Sequence, residues 1–204
     1  MEQPISKYKF ILIGDLSVGK TSFFFRLKND RFSENLTDDF SGSDCMEYTQ
    51  IVDGTKVKVY LYDTCGMERN ANSITASYFR NSAAVLLFYS VEDPYSFSSL
   101  QQWTDHTETC VCKHASQLTW ALIGNKCDLL QDIDDNIIEA FCKERLKSEL
   151  SFKVSAKSGE NVKSAFEAIV TAVHRKKQMQ NTPVIEQEAS LKLNLTTKQQ
   201  HCSC

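Results

Sequence analysis

Gly14-Asp15-Leu16-Ser17-Val18-Gly19-Lys20-Thr21 meets every fixed position of G-x-x-x-x-G-K-[ST], the phosphate-binding loop. Its flanks agree with that reading. Tyr8-Lys9-Phe10-Ile11-Leu12-Ile13 reads as a buried strand, and Ser22-Phe23-Phe24-Phe25-Arg26-Leu27 reads as the start of a helix. Strand, loop and helix together let consecutive backbone N–H groups face phosphates from a helix N-terminus. Gly14 and Gly19 permit the bend and the close approach. The candidate phosphate contacts are therefore Gly14, Leu16, Ser17, Val18, Gly19, Lys20, Thr21 and Ser22. Lys20 is the cation for the β- and γ-phosphates, and Thr21 offers a hydroxyl to Mg²⁺. This loop by itself does not choose between ATP and GTP.

Downstream, Asn29-Asp30-Arg31-Phe32 ends the first helix, and an acidic, irregular stretch covers 33–39. Asp53-Gly54 sits between Met46–Ile51 and Lys56–Tyr62, which is the signature of a tight hairpin. Asp63-Thr64-Cys65-Gly66 follows directly. A carboxylate just past a strand suits Mg²⁺ held through water, and the Gly66 N–H suits a γ-phosphate. Ala83–Ser90 and Leu118–Gly124 read as buried strands, with a short last strand at Leu150–Val154. Helices are expected at Pro94–Cys110, Asp134–Leu146 and Asn161–His174. Apolar residues recur near helical period there: Phe97, Leu100 and Trp103; Ile137, Ile138, Phe141 and Leu146; then Val162 through Val173.

After the hairpin, strands alternate with helices, so the expected fold is α/β, with a mostly parallel sheet covered on both faces. Right-handed crossovers bring the loops after the first, third, fifth and sixth strands to one edge. Two of those loops fit a base. Asn125-Lys126-Cys127-Asp128 follows the fifth strand and Ser155-Ala156-Lys157 the sixth. Asp128 can accept from guanine's N1–H and exocyclic amine. Adenine lacks this donor pair and would leave a desolvated carboxylate unpaired, so the site favours GTP. The Lys126 stem can lie on the base, and the Ala156 N–H can serve O6.

Composition narrows the classes further. Hydrophobic residues make up 42% and charged residues 24%, with a formal net charge of −3, which argues against a nucleic-acid partner. No apolar run is long enough to span a bilayer, and the start of the chain lacks the pattern of a secretory signal, so a cytosolic protein is expected. Eight cysteines in such a chain are expected to be reduced. Cys110-x-Cys112-x-His114 has no second pair at metal-ligand spacing, so ordinary buried or half-exposed thiols are expected.

Across residues 7–177 the chain resembles the Ras-superfamily small GTPases, and more narrowly the Rab family. The narrower resemblance rests on Tyr78-Phe79-Arg80-Asn81-Ser82-Ala83, Leu87-Phe88-Tyr89-Ser90-Val91, Ser96-Phe97, Gln102-Trp103 and a double-cysteine C-terminus. The resemblance implies a P-loop small G-domain of six strands and five helices, GTP/GDP with Mg²⁺ (Thr21, Asp63), and Phe32 across the guanine edge. It also implies a monomer on the cytoplasmic face of an intracellular membrane with a soluble pool, served by effectors, an exchange factor and a dissociation inhibitor.

Two departures bear on the chemistry. The family carries Asp-Thr-Ala-Gly-Gln-Glu after the third strand; here it is Asp63-Thr64-Cys65-Gly66-Met67-Glu68. Met67 has no amide with which to orient the attacking water, so of the catalytic set (Lys20, Thr21, Gly66 and the Met67 position) the last is altered. The switch threonine is also displaced. Alignment on Gly42 and Asp44 puts Phe40 there, alignment without a gap puts Asp39 there, and Thr37 is the nearest threonine. Binding is expected to survive while hydrolysis slows; the alternative is a nucleotide-bound scaffold that does not cycle. From Gln178 a flexible tail is expected, ending Cys202-Ser203-Cys204. That ending resembles a double geranylgeranylation signal, and two lipid chains anchor stably.

Overall fold

In the computed structural model the described residues are 5–33, 44–64, 74–111 and 118–181. They form β1 (Ile5–Gly14), α1 (Lys20–Asn29), β2 (Cys45–Val52), β3 (Thr55–Tyr62), α2 (Ala76–Phe79) and β4 (Ser82–Ser90). Then come α3 (Pro94–Ser98), α4 (Leu100–Val111), β5 (Thr119–Asn125), α5 (Asp135–Ala140), β6 (Ser151–Lys153) and α6 (Val162–Asn181). The six strands make one sheet in the order β2-β3-β1-β4-β5-β6. Only β2 runs antiparallel, paired with β3 through the hairpin. Asp53 (φ 48°) and Gly54 (φ 78°) are both left-handed, as the right-twisted two-residue turn requires.

Alternation along β1 divides the core. Phe10 and Leu12 face one side with Phe23, Phe88, Phe166 and Ile169, under α1 and α6. Ile11 and Ile13 face the other with Val85, Leu87, Leu100 and Trp103, under α3, α4 and α5. All four β1 residues are fully buried, as expected for a central strand of a sheet covered on both faces. The hairpin is fastened to α6 at its tip, where Arg175 donates twice to the Asp53 carboxylate at 2.9 Å, and along its length by Tyr48 Oη donating to Glu167 (2.7 Å).

Several boundaries differ from expectation. The helix read as Pro94–Cys110 is two pieces, α3 and α4, interrupted at Ser99. Counted as one, it gives five helices among the described residues. The helix read as Asp134–Leu146 is α only to Ala140 and then opens into a π-helical turn, Phe141–Arg145, closed by the Leu146 N–H on the Phe141 carbonyl (3.2 Å). Ile138 is buried but Ile137 is 57% exposed, so Ile137 is not a core residue. The last strand is shorter than read, and α6 continues to Asn181, beyond the boundary placed at Lys177. Lys, Gln and Met are good helix formers, and the propensity of the sequence after His174 carries the helix on. Residues 182–204, with Cys202 and Cys204, lie outside the described set, as do Asp39, Phe40, Cys65, Gly66, Met67, Cys112 and His114. Among the described residues no helix is long and apolar enough to cross a membrane, and no His/Cys/Asp/Glu cluster could hold a metal.

Candidate functional site

The loop after β1 is built by close backbone approaches. A Cβ on Gly14 (φ 138°) would stand 2.3 Å from the Phe88 carbonyl oxygen of β4, so a side chain there would push the two central strands apart. One on Gly19 (φ 91°) would stand 2.2 Å from Asn125 Nδ2, so the Asn125 amide occupies the space that glycine leaves. Asn125 is itself 1% exposed. Its Nδ2 donates to the Val18 carbonyl at 2.8 Å and to that of Gly19 at 3.4 Å, while its Oδ1 accepts the Ala156 N–H at 3.0 Å. One side chain thus joins the loops after β1, β5 and β6.

Lys20 is 2% exposed, and its ammonium donates to the Gly14 carbonyl at 2.9 Å and the Asp15 carbonyl at 2.6 Å. Thr21 and Asp63 are both buried, at 7% and 4% exposure. Hydroxyl and carboxylate oxygens are the hard donors that Mg²⁺ takes, and the pair fits that ion. Asp63 is held through its backbone: its N–H donates to Asp44 O (2.8 Å), and its carbonyl accepts the Tyr78 phenol (3.1 Å). Burial, together with the nearby Asp44 and Asp63 carboxylates, pushes the Tyr78 phenol up to about 12, so it stays a donor through neutral pH. Thr64, fully buried, donates to the Leu12 carbonyl at 2.9 Å and pins β3's exit against β1.

The residues expected to face the base stand next to these groups. Asp128 is exposed and accepts the Ser155 hydroxyl at 2.5 Å; the same hydroxyl oxygen accepts the Ser158 N–H at 3.0 Å. Ser155 therefore orients the carboxylate expected to meet the base. Lys126 takes a left-handed φ of 65° and pairs through Nζ with Glu92 at 2.8 Å. Its ammonium is tied to that carboxylate, and the aliphatic stem is the part expected to lie on the base. The Ala156 N–H, expected to serve a base carbonyl, is bonded here to Asn125. Of the other candidates, Val18 is buried, Ser22 and Phe32 are half-buried, and Leu16, Ser17 and Lys157 are exposed.

Three contributors were not among the site residues expected from the sequence. Arg26 of α1 donates from Nε to Ala156 O (2.9 Å) and from Nη2 to Lys157 O (2.5 Å), clamping the last loop to the helix that follows the first. Asp15 turns its carboxylate away from the loop's interior. It accepts Trp103 Nε1–H at 2.6 Å and the Ser99 hydroxyl at 2.5 Å, so the phosphate loop is tethered to the break between α3 and α4. Tyr78 steadies Asp63. Arg26 and Asp15 stand within or beside the loop pattern, but their partners lie 84 to 131 residues away, beyond the reach of any local signal.

The Ras family profile matches residues 9–175. GTP-binding protein YPTM1 of Zea mays is 34% identical over 172 residues, 83% of this chain and 79% of that protein. GTP-binding protein Rab-3D of Rattus norvegicus is 35% identical over 169 residues, 81% of this chain and 74% of that protein. Ras-related protein Rab-3C of Bos taurus is 31% identical over 205 residues, 97% of this chain and 87% of that protein.

Proposed function

Because the chain belongs to the Ras family of small GTPases, in its Rab branch, we propose that it is a guanine-nucleotide switch of vesicle traffic that hydrolyses GTP slowly. The observation that carries this reading is the Asn125 strut. It fixes the phosphate loop, the Asp128 loop and the Ser155–Lys157 loop relative to one another, as one nucleotide spanning all three would require. Lys20 would neutralise the β- and γ-phosphates, and the N–H groups of residues 14–20 would cradle them. Thr21 and Asp63 would hold Mg²⁺, whose positive charge would offset the negative charge that develops on the phosphates. Asp128, oriented by Ser155, would read the base. Phe32 and the Lys126 stem would cover its edges.

The slow step follows from the side chain at position 67. A thioether neither donates nor accepts as an amide does, so water is left without the group that aims it. Misplacement of a reactant costs about 10²-fold, on an intrinsic family rate of ~10⁻⁴ s⁻¹. Binding is less exposed to the changes at 39 and 40, because one bond to a charged phosphate is worth roughly 1.5–3 kcal/mol. The Cys202/Cys204 ending supports double prenylation, hence residence on the cytoplasmic face of a membrane, exchange with a soluble pool, and regulators of the kind the family uses.

Single-turnover hydrolysis of preloaded GTP, with extraction of the nucleotide carried through purification, tests the reading. Met67→Gln and Phe40→Thr are each expected to raise the rate modestly, and the double variant more than their product, because both act on one water and one phosphate. A parent rate equal to that of glutamine-bearing members would refute the role given to Met67. Recovery of ATP would refute guanine selectivity.

A further inference from the structure

Arg26 lies on α1, about 9 Å along the helix from Lys20, yet its guanidinium reaches the loop after β6. The side chain is 14% exposed. Nε donates to the Ala156 carbonyl at 2.9 Å and Nη2 to the Lys157 carbonyl at 2.5 Å. Nη1 donates to the Asp30 carbonyl at 3.0 Å, where α1 ends.

The Lys157 carbonyl is one half of a peptide unit whose other half is the Ser158 N–H. The unit is planar and trans, so the two groups point in opposite directions. That N–H donates to Ser155 Oγ at 3.0 Å, and the Ser155 hydroxyl donates onward to the Asp128 carboxylate at 2.5 Å. A single line of donors therefore runs from the guanidinium, through one peptide unit and one hydroxyl, to the carboxylate. Every bond has the same sense, with a cation at the head and an anion at the foot, so each link polarises and strengthens the next. Ser155 is fully buried, which removes water as a competitor at the middle of the line. The loop is also closed on itself: the Ser155 N–H donates to the Glu160 carbonyl at 3.0 Å, and the Gly159 N–H to the Ser155 carbonyl at 2.8 Å. What grips Lys157 therefore also sets Ser155.

We infer that Arg26 is a positioning residue for guanine recognition, acting through Lys157, Ser158 and Ser155 to aim the Asp128 carboxylate at both N1–H and the exocyclic amine. This role rests on the guanine-nucleotide reading and extends it to a residue outside the base-reading loops. It also ties the two ends of the ligand together. The helix that opens with Lys20 and Thr21 at the phosphates holds, through Arg26, the carboxylate that reads the base.

Arg26 closes the end of α1 as well, so losing it costs stability whatever it does for the base. The test therefore reads a ratio between two ligands. Hypoxanthine keeps guanine's N1–H and O6 but lacks the exocyclic amine, so IDP makes only one of the two bonds to Asp128. Dissociation constants for GDP and IDP are measured by competition against a fluorescent GDP analogue, on the full-length chain with Mg²⁺. The parent is expected to prefer GDP by roughly tenfold or more, the scale of one bond to a charged acceptor. Arg26→Gln, which loses the charge and the fork, should narrow that preference roughly threefold, and Arg26→Ala at least as much. Arg26→Lys keeps the charge but not the fork, and should fall between the parent and Arg26→Gln. Ser155→Ala cuts the line at its middle, so adding Arg26→Gln to it should narrow the preference no further. A purely structural Arg26 would weaken GDP and IDP by one common factor. An unchanged ratio in Arg26→Gln and Arg26→Ala overturns the proposal, as does an undiminished effect of Arg26→Gln on the Ser155→Ala background. Failure of the guanine-nucleotide reading would look different, because the parent itself would then bind ADP as well as GDP.

Discussion

Asp15 provides the sharpest test of how the phosphate loop is held. Its carboxylate takes the Trp103 indole N–H at 2.6 Å and the Ser99 hydroxyl at 2.5 Å. Asp15→Ala strands the indole N–H, because the Trp103 side chain is only 3% exposed and water does not readily replace the acceptor. Ser99 loses less, since its hydroxyl also bonds the Ser96 carbonyl at 3.0 Å. A hydrogen bond to a charged acceptor is worth about 1.5–3 kcal/mol, so the substitution should cost about that much, or roughly 3–12 °C in Tm for a domain this size. Asp15→Asn should cost about half, because the amide can accept from Trp103 and donate to Ser99 while losing the charge. Trp103→Phe removes the same bond from the other side.

Urea unfolding of the GDP-bound protein, run as a double-mutant cycle, should therefore give a coupling of at least about 1 kcal/mol between the two positions. A loosened loop should also release a fluorescent GDP analogue about tenfold faster, the equivalent of 1.4 kcal/mol. Additivity of Asp15→Ala and Trp103→Phe within about 0.5 kcal/mol, with unchanged release, would refute the tether.

Other outcomes follow from single groups. Asp128→Asn should lose GTP affinity and gain affinity for xanthine nucleotide, whose base presents an acceptor where guanine presents a donor; competition binding with the two triphosphates checks this, and unchanged GTP affinity removes Asp128 from the site. Burial pushes the Cys142 thiol up from 9.0 to about 11, so it should resist alkylation at pH 8 in the folded protein and react after unfolding. A thiol pKa raised by folding stabilises fully below pH 9 and loses that contribution as pH climbs toward 11; a pH series of unfolding midpoints for the parent and Cys142→Ala should converge over that window. Cys202→Ser with Cys204→Ser should move the protein from the membrane to the soluble fraction of cells, and persistence on membranes would exclude this pair as the anchor.

The hairpin turn, the buried strands and the order of elements, apart from the short α2, were legible in the chain. Each is written in local letters: alternation and apolar runs for strands, Asp-Gly for a turn, and glycines where backbone must approach backbone. The helix boundaries were less legible. The break at Ser99 involves a side chain drawn to Asp15, and the π-helical turn at Phe141–Arg145 shifts a period that the sequence continues unbroken.

By itself the sequence determined the sheet-and-helix class and supplied the phosphate-loop pattern, the candidate base-reading residues and the two substitutions expected to slow hydrolysis, because those depend on residue types at short spacing. Tertiary structure alone decided what fixes the loops to one another. Asn125 fills the space beside Gly19 and engages the Ala156 N–H, Arg26 holds the Ala156 and Lys157 carbonyls, and Asp15 reaches Ser99 and Trp103. These contacts join residues far apart in the chain, and no local pattern encodes a partner that only the crossover of strands brings within bonding distance.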